Sequence, residues 1–183
     1  MLPVFSVGHG AASEDELLAR LALGDVQQVV DIRIAPRSRR HPHLARDALA
    51  QWLPDAGVDY RWEPRLGGFR RPAPDSPDVV WRNESFRGYA AHLRTPDAQA
   101  ALALLVEEAA GRPTAYMCSE TVWWRCHRRL VSDVLVLVHG LDVLHLMPER
   151  VSPHRPTPGA RVAGETLVYD DVEAAGDNPP DEG

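Results

Sequence analysis

The chain has 183 residues, 44% of them hydrophobic and 25% charged, with a formal net charge of −6. That is enough apolar material for one full core in one globular unit. All twenty basic residues are arginine, which excludes lysine Schiff-base chemistry and NTPases that depend on a P-loop lysine.

Val4 to Gly8 reads as a first strand, followed by a helix N-cap at Ser13 with Glu16 spaced for a capping box. The helix runs through Leu17, Leu18 and Leu21 to Gly24, and Val29 to Arg33 is a short buried strand leading into an arginine-rich loop. Residues 43–53 have helical spacing, residues 58–62 alternate as a third strand, and the Pro- and Gly-rich stretch 64–82 is a long loop. Two helices are expected over 83–93 and 96–110, the second capped by Thr95, and Thr114 to Cys118 is a fourth strand. A strongly apolar helix over 124–139 closes at Gly140, and Leu141 to Met147 is a fifth strand. After a Pro-rich connector (153–158), a short strand or hairpin is expected over 161–169. Residues 170–183 carry six acids and no base and read as a disordered tail, which leaves residues 1–169 formally neutral.

This alternation predicts an α/β fold: a three-layer, mostly parallel sheet with helices on both faces, loosely rhodanese-like or flavodoxin-like. The expected division is a single domain over 1–150, an extension over 151–169 and the acidic tail. No apolar run reaches a membrane span. Met1 to Phe5 lacks a basic or long apolar leader, so a cytoplasmic protein with no membrane partner is expected.

The chemistry-bearing residues concentrate between 118 and 128. Here the only two cysteines, Cys118 and Cys126, keep company with Glu120, His127 and Arg128. Cys118 ends a strand, where nearby helix-terminal amides and cations favour a thiolate. Glu120 is a candidate general acid or base, and it would be strengthened if Trp123 and Trp124 kept it dry. His127 and His145 are candidate proton partners. Each has a plainer alternative: a buried small hydrophobe for the cysteines, a helix cap for Glu120, a satisfied structural imidazole for the histidines. A redox disulfide is a further option. The seven-residue gap and the adjacency of Cys126 and His127 depart from standard chelating spacing, so no metal or other cofactor is assigned.

Candidate anion-binding residues are His9, Arg33, Ser38, Arg39, Gly67, Gly68, Arg70 and Arg128. Guanidinium forks suit phosphate and carboxylate, and glycines let backbone approach a ligand. Trp52, Trp62, Trp81 and Phe69 interleave with this basic region, a pattern that also suits nucleic acid. The expected partner is therefore an anionic small molecule or a nucleic acid. The expected function is an enzyme with a Cys/Glu/His/Arg pocket at strand carboxyl ends, acting on a phosphorylated or nucleotide-like substrate. The alternatives are a nucleic-acid accessory protein and a metal-stabilised structural domain.

Five motifs in order carry a resemblance. Ser6-Val7-Gly8-His9-Gly10 is similar to "TIGHS", and Val30-Asp31-Ile32-Arg33 with Pro36, Ser38 and Arg39 to "DVR..P.SR". Tyr60, Pro64, Leu66-Gly67-Gly68 and Arg70 are similar to "Y..P.LGG.R", and Cys118-Ser119-Glu120, Cys126-His127-Arg128 and His145 to "LCxE…CHR…H". Over roughly residues 4–147 the chain resembles the bacterial domain of unknown function 488 family. It departs from the family at Gly10, where serine is usual, and at Ile32, where valine is. The resemblance implies an α/β fold and a polar pocket. A looser likeness to rhodanese and the cysteine phosphatases is one of fold only: the phosphatase arginine, six positions after the cysteine, is here Trp124, and Arg125 is one further on.

Overall fold

The computed structural model describes residues 2–176. Its strands and helices are β1 (Val4–Gly8), α1 (Glu14–Ala22), β2 (Gln28–Asp31), α2 (Arg46–Asp55), β3 (Asp59–Trp62), α3 (Glu84–Leu93), α4 (Pro96–Gly111), β4 (Thr114–Cys118), α5 (Arg128–Leu137), β5 (Val143–Leu146), β6 (Val151–Pro153), β7 (Ala160–Ala163), β8 (Thr166–Tyr169) and α6 (Val172–Ala175). The main sheet has the order β3-β2-β4-β1-β5-β6. The first five strands pair in parallel and β6 adds antiparallel to β5. The fold is thus the expected mostly parallel α/β sheet.

Strand alternation sorts the core into two faces. Val4, Val30, Tyr116 and Cys118 point toward α3, α4 and α5, where they meet Tyr89, Leu102 and Leu130. Phe5, Val7, Val29, Ala115 and Met117 point toward α1 and α2, against Leu17, Leu21, Leu49 and Leu53. Ser13 and Glu16 form the expected capping box, and Thr95 caps α4.

The expected helix over 124–139 starts late. Trp123–Arg125 form a turn of 3-10 helix, Cys126 is extended, and α5 begins at Arg128. The chain after residue 150 packs on the domain: Leu167 and Tyr169 join the core facing α3–α5. Asp78, fully buried, receives both Nη atoms of Arg94 at 2.9 and 2.7 Å and the amide of Tyr169 at 3.1 Å, tying the β7–β8 hairpin to the long loop. Of the acidic stretch expected to be disordered, residues 170–176 are described and include the short helix α6, capped by Asp171; residues 177–183 lie outside the described residues.

Beneath α5 lies a polar layer where its apolar sequence predicts a greasy one. Tyr116, Ser6 and His145 stand side by side on β4, β1 and β5. Over them α5 lays Arg128, Ser132 and Asp133, all buried. Asp133 Oδ1 accepts from His154 Nε2 at 2.8 Å; His154 Nδ1 then accepts from His145 Nε2 at 3.0 Å. His145 Nδ1 accepts from Ser6 at 3.0 Å, and Ser6 Oγ accepts from Arg128 Nη1 at 3.0 Å. Arg128 Nε alone of this guanidinium's nitrogens has no hydrogen-bond partner among the described residues. Arg128 Nη2 reaches the carbonyls of Glu120 and Thr121, and the His145 ring stacks on Trp123 at 4.2 Å. This layer therefore holds down the loop between β4 and α5.

Two expectations follow. A Cβ at Gly8 would lie 1.8 Å from the Glu120 carbonyl oxygen, so Gly8→Ala is expected to destabilise the protein by about 3 kcal/mol, read as a lowered urea midpoint. The second concerns pH. Burial and the neighbouring Arg33 push His9 down to about 4, and burial with His154 and Arg128 pushes His145 down to about 2. Unfolded imidazoles protonate near pH 6.5. The unfolded chain thus binds more protons below that value, and stability falls as pH drops from about 6.5 toward 4. Urea midpoints at about pH 7.5 and about pH 5 are expected to show this loss, with a shallower dependence in His145→Asn.

Candidate active site

Cys118 is the last residue of β4, and its side chain lies on the α3–α5 side of the sheet. Eight residues later the chain returns. Extended Cys126 (φ −123°, ψ 149°) is followed by helical His127 (φ −58°, ψ −16°). That abrupt change of backbone lets two adjacent side chains turn toward one point. The sulfurs of Cys118 and Cys126 and Nδ1 of His127 all lie within 4.8 Å of one another. Nδ1 is 3.8 Å from the Cys118 sulfur and 3.7 Å from that of Cys126. On the far side of the ring, Nε2 donates to the Ile32 carbonyl at 3.3 Å. Tyr89 packs edge-on against the imidazole at 4.9 Å. Gly68 lies beneath it, where a Cβ would come within 3.0 Å of Nδ1.

The cluster forms part of the wall of a cavity of about 310 Å³. Ser119, Glu120 and Arg125 supply its polar lining, and Phe69, Phe86 and Tyr89 an aromatic one. The cavity lies at the carboxyl ends of β2 and β4, where open α/β sheets bind ligands. Arg125 is exposed, and its guanidinium has no partner among the described residues. Phe69 stands at the mouth with 88% of its surface exposed and a left-handed backbone (φ 60°).

Both cysteines are free thiols. The Cys118 thiol is pushed well above its ordinary range by its hydrogen bond to Cys126 and by burial. Burial alone would raise Cys126 too, but the hydrogen bond from Cys118 and the nearby His127 ring and Arg128 guanidinium outweigh it and carry this thiol well below its ordinary range. The pair gives up its first proton readily and its second reluctantly. Among the described residues no carboxylate pairs with the buried Arg128 guanidinium, and a thiolate beside it offsets part of the cost of that uncompensated charge.

Of the residues singled out from the sequence, Cys118, Cys126, His127, Glu120, Gly68 and Arg33 line this cavity. The Arg33 guanidinium, however, is occupied. It clasps Asp31 through Nε at 2.8 Å and Nη2 at 2.5 Å, and donates to the Leu44 carbonyl at 2.9 Å. His9 is buried with its Nε2 3.0 Å from Arg33 Nη1 and its Nδ1 2.8 Å from the Gly10 carbonyl, away from the cavity lining. His145 and Arg128 lie in the buried polar layer; both hold the loop and neither lines the cavity. The reason is strand order: β1 stands between β4 and β5, so His145 is two strands from Cys118.

Gly67 packs against Ile34. Ser38 and Arg39 line a neighbouring hollow with Trp62, and Arg70 a third beyond Phe69. Glu120 is exposed and Trp123 lies on His145, so the dry surround expected for the carboxylate is absent. Trp81 is core, while the Trp52 and Trp62 indoles donate to the carbonyls of His43 and Arg33. Arg125, Tyr89 and Phe86 were not foreseen as lining residues. The signal for Arg125 was its place within the cysteine segment.

The family model for the domain of unknown function DUF488 matches residues 14–135. No curated protein and no solved structure matches the chain. The matched segment spans more than half of the chain, from α1 through β4 into α5, and includes both cysteines, His127, Arg125 and Glu120. The chain belongs to the DUF488 family.

Proposed function

We propose that this protein is a thiol-dependent enzyme acting on a small anionic substrate, phosphorylated or nucleotide-like, that occupies the cavity above Cys118, Cys126 and His127. One observation carries the reading: two thiols and an imidazole converge within 4.8 Å on the wall of a cavity that also presents the unpartnered Arg125 guanidinium. A buried dithiol alone is a packing solution. A dithiol facing open space beside a cation suits reaction with an anion.

The roles follow from position. The Cys126 sulfur carries the negative charge, with the Cys118 thiol donating to it. Arg125 holds the substrate's phosphate or carboxylate with its guanidinium fork. Phe69, Phe86 and Tyr89 offer a face for a planar apolar group. Glu120, exposed at the rim, exchanges protons with solvent. Two free thiols suit a reducing compartment such as the cytoplasm.

The binding half of the proposal is tested by thermal-shift titration with pyrophosphate, adenosine monophosphate and a single-stranded oligonucleotide. The nucleotide is expected to raise Tm, and Arg125→Ala to weaken it by at least about tenfold, the worth of one charge-assisted hydrogen bond. A response to the oligonucleotide alone, unchanged in Arg125→Ala, would favour the nucleic-acid reading. The thiol half is tested by iodoacetamide at about pH 6 on EDTA-treated protein, with labelled peptides counted by mass spectrometry. Cys126 is expected to label ahead of Cys118; equal, slow labelling of both would remove the case for an activated thiolate.

A further inference from the structure

We infer that Cys118, Cys126 and His127 form a zinc-binding site with one coordination position open to the cavity. The inference deepens the enzyme reading by naming the ion at its centre, and it rests on that reading only for the role of the open position.

The argument is geometric. Tetrahedral zinc, with Zn–S of about 2.3 Å and Zn–N of about 2.05 Å, places sulfur and nitrogen ligands about 3.6 Å apart. The two sulfur-to-Nδ1 separations, 3.8 and 3.7 Å, lie within a few tenths of an ångström of that value. The two sulfurs stand within 4.8 Å of each other, so zinc would draw them together by up to about an ångström, to the roughly 3.8 Å of a tetrahedral pair. The sequence spacing argues against such a site, because adjacent residues ordinarily point apart. Here the extended-to-helical break between Cys126 and His127 turns both inward.

The imidazole is already oriented as a ligand. Its Nε2–H is taken by the Ile32 carbonyl at 3.3 Å, which leaves the Nδ1 lone pair aimed between the sulfurs. Metal-bound histidines characteristically anchor their second nitrogen in this way. Tyr89 and Gly68 hold the ring in that plane from the edge and from below.

Ligand chemistry selects the ion. Two soft thiolates and one imidazole suit zinc and discriminate against calcium and magnesium, which take oxygen. Closed structural zinc sites have four protein ligands, whereas three ligands and a free position mark sites that bind water or substrate. Among the described residues this is the one such cluster of histidine, cysteine and carboxylate side chains. Its three members all line the cavity, so the fourth position faces the space that Arg125 borders. An anionic group held by that guanidinium would lie where it can displace a zinc-bound water.

The test uses the full chain, stripped with EDTA and titrated with cobalt(II) and then zinc. One equivalent of cobalt is expected to give sulfur-to-cobalt charge-transfer absorption with the intense visible bands of a tetrahedral ion, and zinc is expected to displace it. Cys118→Ser, Cys126→Ser and His127→Ala are each expected to weaken binding by about 100-fold, the upper scale on which even outer-shell partners act. Circular dichroism checks that each variant is folded. If a variant fails to fold, protection of both thiols from alkylation by one equivalent of zinc in the unmodified chain decides the matter. Azide added to the cobalt form is expected to shift the visible bands by entering the open position. Absence of saturable one-to-one binding, or of thiol protection by zinc, overturns the site while leaving the thiolate enzyme standing. Tight binding with bands indifferent to azide overturns the open position, while the nucleotide titration and the alkylation of the EDTA-treated protein decide the enzyme reading separately.

Discussion

The Arg128 guanidinium is the constraint on which the site depends. It is 1% exposed, has no carboxylate partner among the described residues, and spans from the hydroxyl of Ser6 on β1 to the carbonyls of Glu120 and Thr121. A cation in that position is tolerated because oxygen atoms crowd it and a thiol pair stands close by. In return it fixes the one loop that must be fixed. Residues 119–125 leave β4 beside Cys118 and come back at Cys126, so the separation of the two sulfurs is set by how that loop is held. Gly8 completes the arrangement, since only a residue without a Cβ lets the Glu120 carbonyl approach β1.

Behind the guanidinium, the chain from Ser6 through His145 and His154 to Asp133 works as a rigid backing. A buried polar network is stabilising only when every member is satisfied, and this one is closed at its far end by Tyr169 at 2.9 Å and the Thr157 amide at 2.8 Å. Both closing residues come from the segment after residue 150. The C-terminal hairpin thus reaches the site indirectly, through Asp133, His145 and the Trp123 ring stacked on it. His145 and Arg128, candidate site residues in the sequence, thus stand in the frame that holds the loop between the two cysteines.

What was legible in the sequence, and what was not, follows from range. Strands such as Val4–Gly8 and Thr114–Cys118, the capping box at Ser13 and the cap at Thr95 are local, and they stand where periodicity and caps put them. The start of α5 was misplaced because the Trp123–Arg125 turn and extended Cys126 carry no breaker residue to announce them. β6 was missed because three residues ending in proline pair only as an edge strand. The meeting of Cys118, Cys126 and His127 was half visible: the segment was evident, but the backbone break that converges adjacent side chains was not. His145 and His9 lie away from the cavity lining for a long-range reason, since strand order and side-chain parity decide which residues share a rim.

Phe69 shows what the cavity mouth implies for energetics. Its ring is almost wholly in water and its backbone sits in a region that non-glycine residues occupy at a cost of about 1–3 kcal/mol. A ligand that covers the ring withdraws apolar surface from solvent, and such withdrawal carries a negative heat capacity. Association at this mouth therefore has an enthalpy that grows more favourable on warming, a calorimetric signature to which the covered Phe69 ring contributes and a charged contact with Arg125 does not.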